Sequence, residues 1–194
     1  MAKRPAEKEN ITFRLDNDVL GRISQEAEQK GVSMNSVAQN VFSDYFGWTA
    51  YAPRVGMIPL HKTVLGMMVD RLSEKDIIEI ADLFAKVKVK NMILVLRNDY
   101  NVEAFLDVFE AWLKASSHPF TKHINHERGV YTVTHELGSK WSTYLSHMLQ
   151  TIFDEMGLKE VIIEKTDDIV MFKIPLPISD SRKSIIVQNK QILK

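Results

Sequence analysis

Asn10-Ile11-Thr12-Phe13-Arg14-Leu15 is the stretch on which the reading of this chain turns. Apolar and polar side chains alternate strictly along it, with the two-residue period of a half-buried β-strand. Ile11, Phe13 and Leu15 would form one face, and Asn10, Thr12 and Arg14 the other. The strand has no partner nearby in sequence, because everything that follows up to residue 46 carries helical periodicity. Its backbone groups need pairing and its apolar face needs cover. A second copy of the chain supplies both. Two such strands, antiparallel across a twofold axis, make a ribbon that can enter the major groove of DNA.

Two helices are expected next. Asp16 is a plausible N-cap of the first, with Asp18 in its first turn, where the helix dipole favours negative charge. Val19, Leu20, Ile23 and Ala27 fall on one face, and Lys30-Gly31 closes the helix. Ser33 caps the second, whose apolar stripe is Met34, Val37, Ala38, Val41, Phe42, Tyr45 and Phe46. That stripe is wide enough to pack on a partner helix as well as on its own chain.

Strand, helix, Gly31-Val32-Ser33-Met34-Asn35-Ser36, helix: this order resembles the ribbon-helix-helix repressors, the class of Arc and the methionine repressor, over about the first quarter of the chain. The resemblance implies a swapped homodimer through residues 10–46, with Asn10, Thr12 and Arg14 turned from the ribbon toward base edges. Arg grips guanine and Asn grips adenine bidentately, and Thr offers a hydroxyl and a methyl. The resemblance also implies that Ser33, Met34 and Asn35 present the start of the second helix to a backbone phosphate.

Charge departs from what a DNA-binding domain usually carries. The whole chain has 25 Lys or Arg against 25 Asp or Glu, a formal net charge of zero. Since phosphate neutralisation supplies much of nucleic-acid affinity, positive charge has to be gathered locally, by Lys3, Arg4, Lys8 and Arg14. Glu7 and Glu9 dilute that arm. Salt-sensitive or cooperative binding by several dimers fits this balance.

At 194 residues the chain has room for one small DNA-binding module and one domain with a sizeable core. With no cysteine there are no disulfides or thiolate metal sites, which accords with a cytoplasmic location. No apolar run approaches membrane-spanning length, and the charged first ten residues lack a signal-peptide core. Residues 1–47 read as the DNA-binding domain and 48–60, with Gly56 and two prolines, as a linker on which Trp48 and Tyr51 dock against one domain. Residues 61–176 read as the second domain and 177–194 as a basic tail.

The second domain is expected to open with helices over 61–72 and from Ser73 onward. A buried strand at 91–97 follows, then a helix over 101–115. A hairpin turning at Arg128-Gly129, a long helix over 138–156 and two strands turned by Asp167-Asp168 complete it. The order β-α-β-β-α-β plus one strand is ferredoxin-like. The expected fold class is therefore α+β, a ribbon-helix-helix followed by a ferredoxin-like domain with preceding helices. The layout resembles that of the nickel-responsive repressors, whose expected Cys ligand is missing here.

His118, His123, His126 and His135 lie within eighteen residues, and with Glu127 they are the donors to consider for a metal. His123 and His126 would face opposite sides of a strand, so no metal site is expected. Residues 135–142 (HELGSKWS) form a strand-to-helix turn with Lys140 alongside, the first place to seek a small anionic effector. No nucleophile elbow, phosphate-cradling glycine loop or metalloprotease motif is present. No catalytic residue and no cofactor are expected, and His147 reads as surface or satisfied core. In the tail, Arg182, Lys183, Lys190 and Lys194 stand against one Asp180, and residues 185–187 offer an apolar patch.

The expectation is a cytoplasmic transcriptional regulator, in the repressing sense, whose partners are double-stranded DNA and a second copy of itself. Its second domain would mediate higher assembly or sense a small-molecule effector. The alternative is an antitoxin or plasmid-partition type of DNA-binding protein that also binds a protein partner.

Overall fold

Local signals set the helix ends, beginning with the Gly31 stop. In the computed structural model, which describes residues 9–125 and 127–176, α1 runs Asn17–Lys30 and α2 Met34–Asp44. Gly31 adopts φ 64°, so its N–H reaches the Glu28 carbonyl while the Val32 N–H reaches that of Ala27, a Schellman closure. Ser33 caps α2, its Oγ accepting from the Ser36 N–H at 3.0 Å. Asp16 occupies the N-cap position of α1 with extended backbone, but its side chain makes no capping hydrogen bond, contrary to expectation. Residues 9–16 form no strand. A ladder needs a second strand, and none of the described residues of this chain provides one.

The chain divides into two units after Tyr45. A π-helical turn, Tyr45–Thr49, follows α2, and the expected linker contains a short 3-10 helix, Ala52–Val55, with Ala52 buried. The second unit then has α3 (Lys62–Val69), α4 (Glu74–Phe84), α5 (Lys90–Arg97), α6 (Val102–Ala115), β1 (Phe120–Ile124), β2 (Arg128–Thr134), α7 (Ser139–Glu155), β3 (Ile162–Lys165) and β4 (Ile169–Pro175). A reciprocal capping box starts α4: Ser73 Oγ accepts from the Asp76 N–H, and the Asp76 carboxylate accepts from the Ser73 N–H. Asn101 caps α6 through the Ala104 N–H at 2.8 Å.

The strand expected at 91–97 is helix. Ile77, Ala81, Ala85, Val89 and Ile93 are all buried, at steps of four residues. Four such steps drift about 160° around an ideal α-helix. A π-helical turn at Ala85–Val89 widens the helix between α4 and α5 and takes up that drift, so Ile93 and Leu96 still reach the interior. The run of apolar residues at 92–96 looked continuous because Leu94 and Val95 are apolar yet exposed on the outer side of that helix.

Without that strand the ferredoxin-like order is not formed. Among the described residues the sheet has four strands in the order β1-β2-β4-β3, every neighbour antiparallel: two hairpins joined through α7. The first hairpin turns earlier than expected. Asn125 Oδ1 accepts from the N–H groups of Glu127 and Arg128 at 2.9 and 2.7 Å, an Asx turn that leaves Arg128 and Gly129 inside β2. The second turns at Asp167-Asp168, as the sequence indicates, with the Thr166 N–H on the Ile169 carbonyl.

The class is thus α+β. Alternation puts Tyr131 and Val133 of β2 beside Phe172 and Val170 of β4 on the covered face, the Tyr131 and Phe172 rings stacking at 4.8 Å. Phe105 and Phe109 of α6 and Leu145, Leu149 and Phe153 of α7 cover them, with Phe153 and Phe109 ring contacts to Phe172. No helix among the described residues is long and apolar enough to cross a membrane. Lys3, Arg4 and Lys8 and the tail at 177–194 lie outside the described residues.

Candidate nucleic-acid interface

Asn10, Thr12 and Arg14, together with Ser33, Met34 and Asn35, are all exposed. The N–H groups of Met34 and Asn35 open α2, where a helix has no internal acceptor to offer them. The apolar partners of the first three are exposed too: Ile11 keeps 77% of its surface, Phe13 51% and Leu15 47%. Val19, Leu20, Val41 and Phe42 are exposed on the two helices, and only Ala27 and Val37 are buried in the described part of this unit. Phe13 reaches Phe42 of α2, ring centroids 5.5 Å apart, which ties the alternating segment to the helical apolar surface. From Glu9 to Tyr45 this unit holds three Lys or Arg (Arg14, Arg22, Lys30) against six Asp or Glu.

The second candidate region, 135–142, is closed by the chain's own groups. The Gly138 N–H donates to Asp168 Oδ1 at 3.0 Å, so a carboxylate thirty residues away takes a donor that an anion would need. Lys140 Nζ donates to the carbonyls of Asp70 and Leu72, at 2.7 and 2.6 Å, at the end of α3. His135 is fully buried, and its Nδ1 accepts from the Leu137 N–H at 3.1 Å. Its proton therefore sits on Nε2 and is given to Ser142 Oγ at 2.7 Å, while the Ser142 hydroxyl donates onward to the Asp167 carbonyl. The histidine donates to the serine, the reverse of a base activating a nucleophile, and Ser142 is itself inaccessible. The group is a clamp between the end of β2, the start of α7 and the β3–β4 turn.

Of the histidines weighed for metal, the structure brings together His118 and His135. Burial, with the charge of Lys62 adding to it, pushes His118 down to about 4. Burial likewise lowers His135, against the opposing pull of Asp168. His123 is exposed on β1, and His126 lies outside the described residues. Among the described residues no group of three metal-ligating side chains converges. His147 is half-buried on α7.

Two features escaped the sequence: the carboxylate of Asp168 at the start of α7, and a cavity of about 180 Å³ in the second unit, walled by aromatic and methionine side chains of α5, α6 and α7. The first depends on a pairing thirty residues long, which no local pattern encodes. Compared with known protein families and with curated proteins, the chain matches none.

Proposed function

We propose that this chain is a homodimeric, sequence-specific DNA-binding regulator of the ribbon-helix-helix type. Residues 10–15 of two copies pair antiparallel, and the ribbon so formed reads the major groove through Asn10, Thr12 and Arg14. Ser33, Met34 and Asn35 hold a backbone phosphate at the start of α2. The observation that carries this reading is the apolar surface left open in the first unit. A segment alternating Ile11, Phe13 and Leu15 with polar residues, followed by two helices, buries only Ala27 and Val37 among its described residues. A unit this small with so little buried surface does not hold together alone, and pairing with its own copy covers that surface. The lengths of α1 and α2, with the Gly31 break and Ser33 cap between them, support the same reading.

The second unit acts in assembly or in sensing. Val64, Met67 and Met68 of α3 and Ile80 and Leu83 of α4 are exposed apolar residues that support assembly beyond the dimer. The acidic balance of residues 9–45 favours affinity built from several dimers on adjacent sites over one tight isolated contact.

The test is selection of bound DNA from random sequence, repeated with Arg14→Ala. The wild-type protein should enrich a short motif with twofold symmetry. The variant should lose discrimination at one position of each half-site, by about 1–3 kcal/mol. Unchanged preference and affinity in the variant would refute the assignment of the reading face.

A further inference from the structure

We propose that the cavity in the second unit is a binding site for a small, uncharged, apolar molecule, one or two rings in size. The cavity measures about 180 Å³. Protein interiors pack with few voids larger than a water molecule, and an apolar cavity of roughly 150 Å³ takes up benzene. A half-open pocket of this size, reaching in among the buried side chains of the second unit, is therefore large enough for a ligand.

The chemistry of the wall sets the class. Among the described residues, no carboxylate, ammonium, guanidinium or imidazole lines the cavity. A charged ligand would lose its hydration there without compensation. Trp112, Trp141 and Tyr144 provide flat aromatic faces, and Met57, Met92 and Met148 provide flexible side chains that adapt to irregular shapes.

Position links the site to conformation. Phe84, just before the widened turn between α4 and α5, and Val89, its last residue, both line the cavity. Such turns are less regular than the helix around them and are common at functional sites. Filling the cavity presses on this turn, and with it on the exposed outer side of α4. That regulatory consequence rests on the reading of the second unit as the sensing half, whereas the binding itself does not.

The probe is 4-bromotoluene, neutral, one-ringed, with a heavy atom that quenches indole fluorescence; 4-bromobenzoate is of similar size and carries a charge. The full-length protein should show saturable quenching by 4-bromotoluene, at least tenfold weaker binding of 4-bromobenzoate, and loss of saturable quenching when Val108→Phe fills the space. Met148→Phe serves the same purpose should Val108→Phe not fold. Absence of saturable quenching by the neutral probe, equal binding of the charged one, or undiminished binding in both filled variants would overturn the site. No DNA enters this measurement, so its failure and a failure of the DNA-binding reading are seen separately.

Discussion

Replacing Ile11 by Ala tests the dimer where the first unit is most open. Ile11 keeps 77% of its surface exposed in the single chain, so nearly all of its burial has to come from a partner. Truncation to Ala removes three carbon groups at about 0.8 kcal/mol each, and the exposed share of that is about 1.8 kcal/mol per chain. Symmetry doubles it to about 3.7 kcal/mol if the dimer covers all of the exposed surface, and to about 1.8 kcal/mol if it covers half. The dimer dissociation constant should therefore rise between roughly 20-fold and roughly 500-fold. Sedimentation equilibrium of the wild-type protein and the variant reads this directly. Thr12→Ala is the internal control: in the proposed ribbon it points from the opposite face, so it should leave self-association unchanged while weakening binding to DNA. The reasoning fails if Ile11→Ala leaves association unaltered, if Thr12→Ala disrupts it instead, or if the wild-type protein stays monomeric at the highest concentration at which it is soluble and folded.

Three further outcomes concern the second unit. The unfolded chain takes up a proton on His118 near pH 6.5, whereas burial holds the folded-state value down to about 4. Stability should therefore fall as pH drops from 6.5 toward 4, by at most about 1.4 kcal/mol per pH unit from this group, and His118→Gln should flatten that slope in urea titrations. Ser142→Ala strands the Nε2–H of buried His135 without an acceptor and should cost about 1–3 kcal/mol. A loss below about 0.5 kcal/mol in the urea midpoint would mean that the clamp is not a stabilising contact. Lys140→Met removes the ammonium that closes the end of α3 and should cost about 1–2 kcal/mol, seen as a lowered thermal midpoint; a variant as stable as wild type would show that other donors serve those carbonyls equally well.

The parts of the fold written in short-range signals were legible. Gly31 and Ser33 mark a helix end and a helix start, Ser73 is a cap, and Asp167-Asp168 is a tight turn, each within a few residues of what it controls. The segment at 91–97 was not, because a short apolar run has no period of its own. What decides it is the phase of Ile77, Ala81, Ala85 and Val89 upstream, shifted through a π turn that has no compositional mark. The hairpin turn was displaced because Asn125, using its side chain as a substitute for backbone, closes the chain before the Arg128-Gly129 pair is reached. For the candidate interface, the exposure of Asn10, Thr12 and Arg14 agrees with their polarity, and the exposure of Ile11 and Phe13 is the part that sequence alone does not give. The turn at 135–142 looked open to an anion because its occupant, Asp168, is supplied by a strand connection far along the chain.

The widened turn at 85–89 makes the backbone shape along this stretch as strict a requirement as side-chain type. Taking out a single residue there would leave everything after it at nearly its present angle, but straightening the turn to an ordinary α-helix with every residue kept would swing α5 by about 100°. Ile93 and Leu96 would rotate toward water and Leu94 or Val95 inward. A change that straightens the turn would have to be answered by deleting one residue or by rewriting the whole of α5, whereas a one-residue deletion within the turn keeps α5 in phase.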